Sequence, residues 1–223
     1  MPREGKIKRV YHNNIQGISS PGIKRLLHRA GVKRVSKRVY AEVRGILQVK
    51  LEKVLKHSVA LVEHDRKKTL MMKHVEAAAD LSKVSLVAGV PKKGAAKAKI
   101  TKKCANGGGA PGGGAHKKAD GSFVMGRHKP GVVALGMIRF AQKHSDCLSL
   151  RKLPFVRLCR ELIQNMKDDL RLSKQAVLLL QILIEDQLVK LFQNANLVAI
   201  AAKRKSLKTS DIQTAHKIMG GRH

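Results

Sequence analysis

From Ser173 to Ala202 the chain reads SKQAVLLLQILIEDQLVKLFQNANLVAIAA, thirty residues without a proline or a glycine. Val177, Leu180, Ile184, Leu188, Leu191, Ala195 and Val198 recur at threes and fours, the period of a single helix about 45 Å long. Further leucines, isoleucines and alanines spread around the cylinder, so this rod packs on more than one side. Ser173 stands where an N-cap is needed, its oxygen able to accept an orphan backbone N–H. Asp169-Leu170-Arg171-Leu172 precedes the rod and Lys203-Arg204-Lys205 follows it, which places basic residues at both of its ends.

A second rod lies earlier. Arg38 to His64 carries Val39, Val43, Leu47, Leu51, Val54, Leu55, Ala60 and Leu61 at helical spacing, and its lone Gly45 costs a helix only about 1 kcal/mol. Ser36 is its expected cap, and Arg66-Lys67-Lys68-Thr69 follows it. Short helical segments flank each rod: Ser20–Ala30 and Met71–Ser82 the first, Leu153–Met166 and Ser210–Met219 the second. Short, long, short, twice over with basic junctions, is an internal duplication.

The net charge is +31, and residues 1–90, 91–126 and 127–223 are each positive. Such an excess calls for a polyanion, most often nucleic acid. A hydrophobic content of 43% is enough for packed cores, whereas aromatics at 3% leave little for binding that stacks single-stranded bases. Cys104, Cys147 and Cys159 form no C-x-x-C pair, so reduced thiols in an intracellular compartment are expected. No charge-free run reaches membrane-spanning length, and MPREGKIKRV is not a signal peptide.

In order along the chain, residues 1–17 form a basic arm and 18–85 the first unit, opened by Ser20-Pro21 as cap and first helical residue. Its first helix places Lys24, Arg25 and His28 on one face and Ile23, Leu26 and Leu27 on the other, and Gly31 ends it. Residues 86–126 are a Lys/Gly-rich linker, flexible in its NGGGAPGGGA part. A phosphate-binding loop is excluded there, because no strand leads in and no G-x-x-x-x-G-K-[ST] is present. Residues 127–223 hold a basic turn with Arg127 and Lys129, an extra helix over Val132–His144, and the second unit.

The junctions carry a family resemblance. Asn14-Ile15-Gln16-Gly17-Ile18, Gly31-Val32-Lys33-Arg34, Arg44-Gly45 and Glu63-His64 through Thr69 are similar to histone four. Pro130-Gly131, Val133-Ala134-Leu135, Arg151-Lys152-Leu153-Pro154-Phe155, Asp169-Leu170-Arg171 and Ala202-Lys203-Arg204 are similar to histone three. Two signatures in this order within one chain resemble the fused histone doublets of giant DNA viruses. The resemblance implies an all-α fold of two histone folds closed by the linker into one intramolecular handshake dimer. It also implies a structural role: forming the central tetramer of nucleosome-like particles and wrapping double-stranded DNA with little sequence preference. The implied locations are the virion, and the viral factory or host nucleus.

In the implied handshake, Val32–Ser36 lies beside Lys205–Thr209, and Arg171 beside Arg66–Thr69. Arg34 and Arg171 match the family's minor-groove arginines, a mechanism that belongs to the histone octamer and is carried over with the resemblance. Lys24, Arg25, Lys33, Lys67, Lys68, Arg151, Lys152, Arg157, Arg160 and Lys205 match or neighbour its phosphate contacts. Thr69 and Ser206 are hydroxyl donors at the second loops. Arg204 and Asp211 match residues that pair across a symmetric four-helix bundle, so a second copy of the chain is an implied partner through the C-terminal half. Val198 and Ala201 replace the family's cysteine and histidine there, which leaves that centre more apolar. His64, Leu61 and Ala77 lie where a second doublet, resembling histones two-A and two-B, is implied to dock.

Other departures bear on function. Ala77, Ala78 and Asp80 stand near the family's third-helix tyrosines, and Gly136 replaces an arginine that touches entering DNA. Long tails are missing. Two other classes compete with the structural one. A histone-fold transcription factor would prefer one DNA site by several kcal/mol, whereas phosphate-dominated binding shows a steep salt dependence instead. An enzyme is disfavoured because no nucleophile–base spacing, H-E-x-x-H or metal quartet stands out. No metal or cofactor is expected, and no membrane.

Overall fold

The computed structural model describes residues 14–82, 115–117, 123–125, 131–144 and 148–220. The rest of the basic arm, most of the linker, Arg127, Lys129, Cys104 and Cys147 lie outside the described residues. After a 3-10 turn at Asn14–Gly17 come α1 (Ser20–Arg29), β1 (Arg34–Val35), α2 (Val39–His64), β2 (Thr69–Leu70) and α3 (Met72–Leu81). The strands β3 (Ala115–Lys117) and β4 (Phe123–Met125) follow, then α4 (Val132–Lys143), α5 (Lys152–Met166), β5 (Arg171–Leu172), α6 (Lys174–Ala201), β6 (Ser206–Leu207) and α7 (Thr209–Ile218). Each unit therefore runs short helix, strand, rod, strand, short helix.

The rods α2 and α6 form because their buried residues keep helical spacing throughout. In α2, Val39, Val43, Leu47, Leu51, Val54, Leu55 and Val62 are buried. Gly45 sits on the exposed side with open space around it. In α6 the buried set extends around the helix and includes Leu179, Leu183, Leu188, Leu191 and Phe192. Ser173 caps α6 as expected, accepting the N–H of Gln175 at 3.3 Å. Two other caps differ from the sequence reading. Ser19, not Ser20, precedes α1, so Pro21 is the second helical residue, still within the turn whose N–H groups have no intrahelical partner. Ser36 does not cap α2. Its carbonyl accepts the N–H of Val39 at 3.2 Å in a turn through Arg38, which is already helical.

The units clasp head to tail. β1 pairs in parallel with β6, with Arg34 opposite Ser206 and Val35 opposite Leu207. β2 pairs with β5, with Thr69 opposite Arg171 and Leu70 opposite Leu172. One continuous core runs through both units, with Leu26, Leu47, Leu51, Phe155, Leu158 and Phe192 among its buried side chains. No unit could bury these faces alone, which is why the duplicated pattern closes on itself. Within the expected linker, β3 and β4 pair antiparallel, Ala115 opposite Met125, so that part carries more order than its composition indicates.

The extra helix α4 belongs to the second unit by sequence yet packs on α1 of the first. Behind it a buried polar cluster joins the halves. Glu185 of α6 accepts the N–H of Ser149 at 2.8 Å and that of Leu150 at 3.0 Å. Gln181 donates to Glu185 and to the Leu150 carbonyl, each at 3.0 Å. Arg29 of α1 stands 3.7 Å from the Glu185 carboxylate, and Arg25 donates to the Ser149 carbonyl at 2.6 Å. Burial pushes the Glu185 carboxyl above its ordinary range, against the pull of these donors and of Arg29.

Candidate nucleic-acid interface

Each parallel strand pair sets an arginine opposite a hydroxyl residue: Arg34 with Ser206 at one end, Arg171 with Thr69 at the other. Both arginines are exposed and both hydroxyl residues are half-buried. Backbone bonds hold the pairs, with Ser36 N–H donating to the Leu207 carbonyl at 3.1 Å and Arg171 N–H to the Lys68 carbonyl at 2.9 Å. Every strap takes one strand from each half. Lys33, Lys67, Lys68 and Lys205 flank the straps and are exposed.

The N-termini of α1 and α5 meet between the straps. Gly17 lies so close to Pro154 that an added Cβ would stand 3.3 Å from the proline Cβ, and Gly22 is packed against Leu150 and Ser149. Lys24, Arg151, Lys152, Arg157 and Arg160 are exposed on these two helices. Arg25 is not free in the same way, since both its Nε and Nη2 are spent on the Ser149 carbonyl. His28, read as sharing the Lys24 face, is buried, and its Nδ1 faces the Val32 carbonyl at 3.2 Å. Burial holds its imidazole below the ordinary histidine range. A groove between α5 and β5 is lined by Arg160, Ile163, Gln164, Leu170, Arg171 and Leu172, and the Gln164 Oε1 has no hydrogen-bond partner among the described residues.

The junction after each rod contains features that sequence reasoning passed over. Arg66 and Lys203 follow the ends of α2 and α6 at φ +51° and +54°, left-handed conformations that ordinarily favour glycine. Both close the same motif: Lys67 N–H reaches the Val62 carbonyl at 3.1 Å and Arg204 N–H the Ala199 carbonyl at 2.9 Å. Only the matching positions of the duplicated units could have drawn attention to them.

Arg204 and Asp211, implied to pair between two copies, pair within this chain at 2.9 and 2.5 Å. Asp211 also accepts the Lys208 N–H at 2.9 Å, which fixes the entry to α7. Arg204 holds the Asp211 carboxyl below its ordinary range. The first unit fills the same position differently. His74 is buried, its Nδ1 accepts the Met71 N–H at 3.1 Å, and its Nε2 lies 3.1 Å from Asp65. Asp65 also pairs with Lys73 and, at 3.5 Å, with Lys67.

Beyond Arg204, the far end of the second unit exposes Leu197, Ile200, Ile218 and Met219, with Ala201 exposed and Val198 half-buried beside them. The matching end of the first unit carries Ala60, Glu63, exposed His64, half-buried Leu61 and exposed Ala77, with Leu81 its one large exposed apolar side chain. Glu63 is held by Lys167 at 2.8 Å. Among the described residues, no group of three or more His, Cys, Asp or Glu could hold a metal ion, and no helix is long and apolar enough to cross a membrane. Cys159 is buried in the core, and that burial pushes its thiol well above the ordinary range.

A family model describing the core histone domain, that of histones two-A, two-B, three and four, matches residues 130–218. That stretch holds α4 to α7. The crystal structure of the histone from Methanopyrus kandleri aligns with 89% of this chain and 92% of its own, at 16% identity and a TM-score of 0.50. A single chain of that protein thus spans both units. The fold is the histone fold, present twice and closed into one handshake.

Proposed function

We propose that this chain is a structural DNA-packaging protein, a fused histone doublet whose first half plays the part of histone four and whose second half that of histone three. The reading rests on the two straps, where an exposed arginine faces a hydroxyl across a parallel strand pair at either end of one rigid handshake. Helix N-termini and basic side chains between them supply phosphate contacts, which fix the path of a duplex while carrying little sequence information. The exposed apolar end of α6 and α7 would join a second copy, and a second doublet would dock near His64, Leu61 and Ala77. With the Arg204–Asp211 pair satisfied within the chain, that self-association relies on Leu197, Ile200, Ile218 and Met219. The source that fits the arrangement is a giant DNA virus, with the protein on viral DNA in the virion, the factory or the host nucleus.

Nuclease digestion of mixed-sequence DNA reconstituted with the chain and a candidate partner doublet tests this directly. Protected fragments of regular length are expected. Replacing Arg34 and Arg171 by alanine should weaken binding equally on all sequences and lower the salt dependence by about one ion per site. Protection that is confined to one sequence, or unchanged in the double variant, overturns the packaging role.

A further inference from the structure

α2 carries a second basic surface on the side opposite the one that holds the start of α1. Arg44, on one side of the rod, holds the N-terminal end of α1 by donating to the Ile18 carbonyl at 3.0 Å and to Ser20 Oγ at 3.3 Å. Lys53 is nine residues on, about 180° around the helix at about 100° per residue. Lys56 and His57 lie within about 60° of Lys53 on the same reckoning, as does half-buried Lys50. Lys50, Lys53 and Lys56 make no hydrogen bond or ion pair among the described residues. The nearest carboxylate along the helix, Glu52, accepts instead from Gln48 at 2.9 Å. Burial and the neighbouring charge of Lys53 both hold the Lys50 ammonium below its ordinary range. Like charges one turn apart destabilise a helix, so this row is kept without internal compensation.

The second unit has no such row. Counted from the strap arginines Arg34 and Arg171, the residues matching Lys50, Lys56 and His57 are Gln187, Gln193 and Asn194. Lys53 corresponds to Lys190, which is neutralised by Asp186 at 3.4 Å. The stripe is also bracketed by apolar side chains: Val49, 59% exposed, one turn before Lys53, and exposed Ala60 one turn after Lys56. A duplex offers phosphates but nothing to cover a valine. A protein segment bearing carboxylates and an apolar residue at helical spacing matches both.

We propose that the outward face of α2, centred on Lys50, Lys53 and Lys56 with Val49, docks an acidic amphipathic segment of a partner protein while the straps hold DNA. The interaction is independent of the packaging reading, because it uses none of the strap residues.

The test uses the full chain bound to a short duplex at moderate ionic strength. The probe is a fluorescent helical peptide with glutamates every three or four residues and two leucines on the same face, followed by anisotropy. Wild type should bind, K50Q/K53Q/K56Q should lose about tenfold or more in affinity, and Val49→Ser a smaller part. Arg34→Ala with Arg171→Ala should leave peptide binding unchanged, which separates failure of this proposal from failure of the packaging role. Equal affinity for wild type and the triple variant overturns it, as does displacement of the duplex by the peptide. Loss of bridging between two duplexes in the triple variant, with no peptide binding by wild type, assigns the face to DNA and likewise overturns it.

Discussion

Arg66 and Lys203 hold left-handed backbone at the end of each rod, where glycine would serve with less strain. A charged residue there is retained against a local cost of about 1 kcal/mol. Arg66→Gly and Lys203→Gly should therefore raise stability in urea unfolding by up to about 1 kcal/mol while weakening DNA binding; a loss of stability would remove the strain argument. Two buried carboxylates make opposite demands. Glu185, its pKa raised by burial, opposes folding once ionised, so its contribution is most favourable below 4.5 and declines as pH rises through the raised value. Asp211, its pKa lowered by Arg204, stabilises above 3.8 and loses that contribution as pH falls through the depressed value. Unfolding free energies of Asp211→Asn and wild type should converge on acidification, and those of Glu185→Gln and wild type should converge there too, from differences of opposite electrostatic sign. Glu185→Leu removes the acceptor of two backbone N–H groups and should cost about 3 kcal/mol. Asp211 was singled out through the family resemblance, with a partner in another copy, whereas the left-handed backbone at Arg66 and Lys203 and the role of Glu185 left no mark in the sequence. Glu185 sits in a rod otherwise read from its apolar period, and only the fold shows that Ser149 and Leu150 turn their N–H groups toward it.

At the scale of elements, the two straps are built alike and anchored differently. The strap of β1 and β6 adjoins the Arg204–Asp211 ion pair, while that of β2 and β5 adjoins the cap of His74 on Met71 N–H. Replacing His74 by alanine removes the acceptor of the Met71 N–H and should loosen the second strap alone. Hydrogen exchange should accelerate at Met71 and Arg171 in His74→Ala and stay unchanged at Ser36; equal acceleration at both straps would refute the assignment. The helices themselves were legible from period alone, with ends within a residue or two, because long apolar repeats leave the chain few other choices. The register of the straps was reached only through the family resemblance, since two-residue strands leave almost no pattern. Caps were read less well: Ser20 already lies inside α1, which Ser19 precedes, and Ser36 stands in the turn ahead of α2, with no side-chain cap bond at either helix.

For the whole molecule, the linker turns a bimolecular handshake into an intramolecular one at an effective concentration on the order of mM. Cutting a protease site placed between residues 95 and 110 should leave the core folded at high concentration and let the halves separate on dilution, followed by light scattering. Halves that stay together at any dilution would mean the shared core alone is sufficient. The two outer ends are also unlike, one apolar and one polar, so the self-association proposed above would use one end rather than both.

A strap made of one strand from each half has a bearing on synthesis. The ribosome releases β1 and β2 long before β5 and β6 exist, so no arginine–hydroxyl couple can be assembled until β5 has been made, and the two together need the chain through β6. On the packaging reading, an incomplete translation product lacks the paired straps, and the completed polypeptide alone presents both of them to DNA.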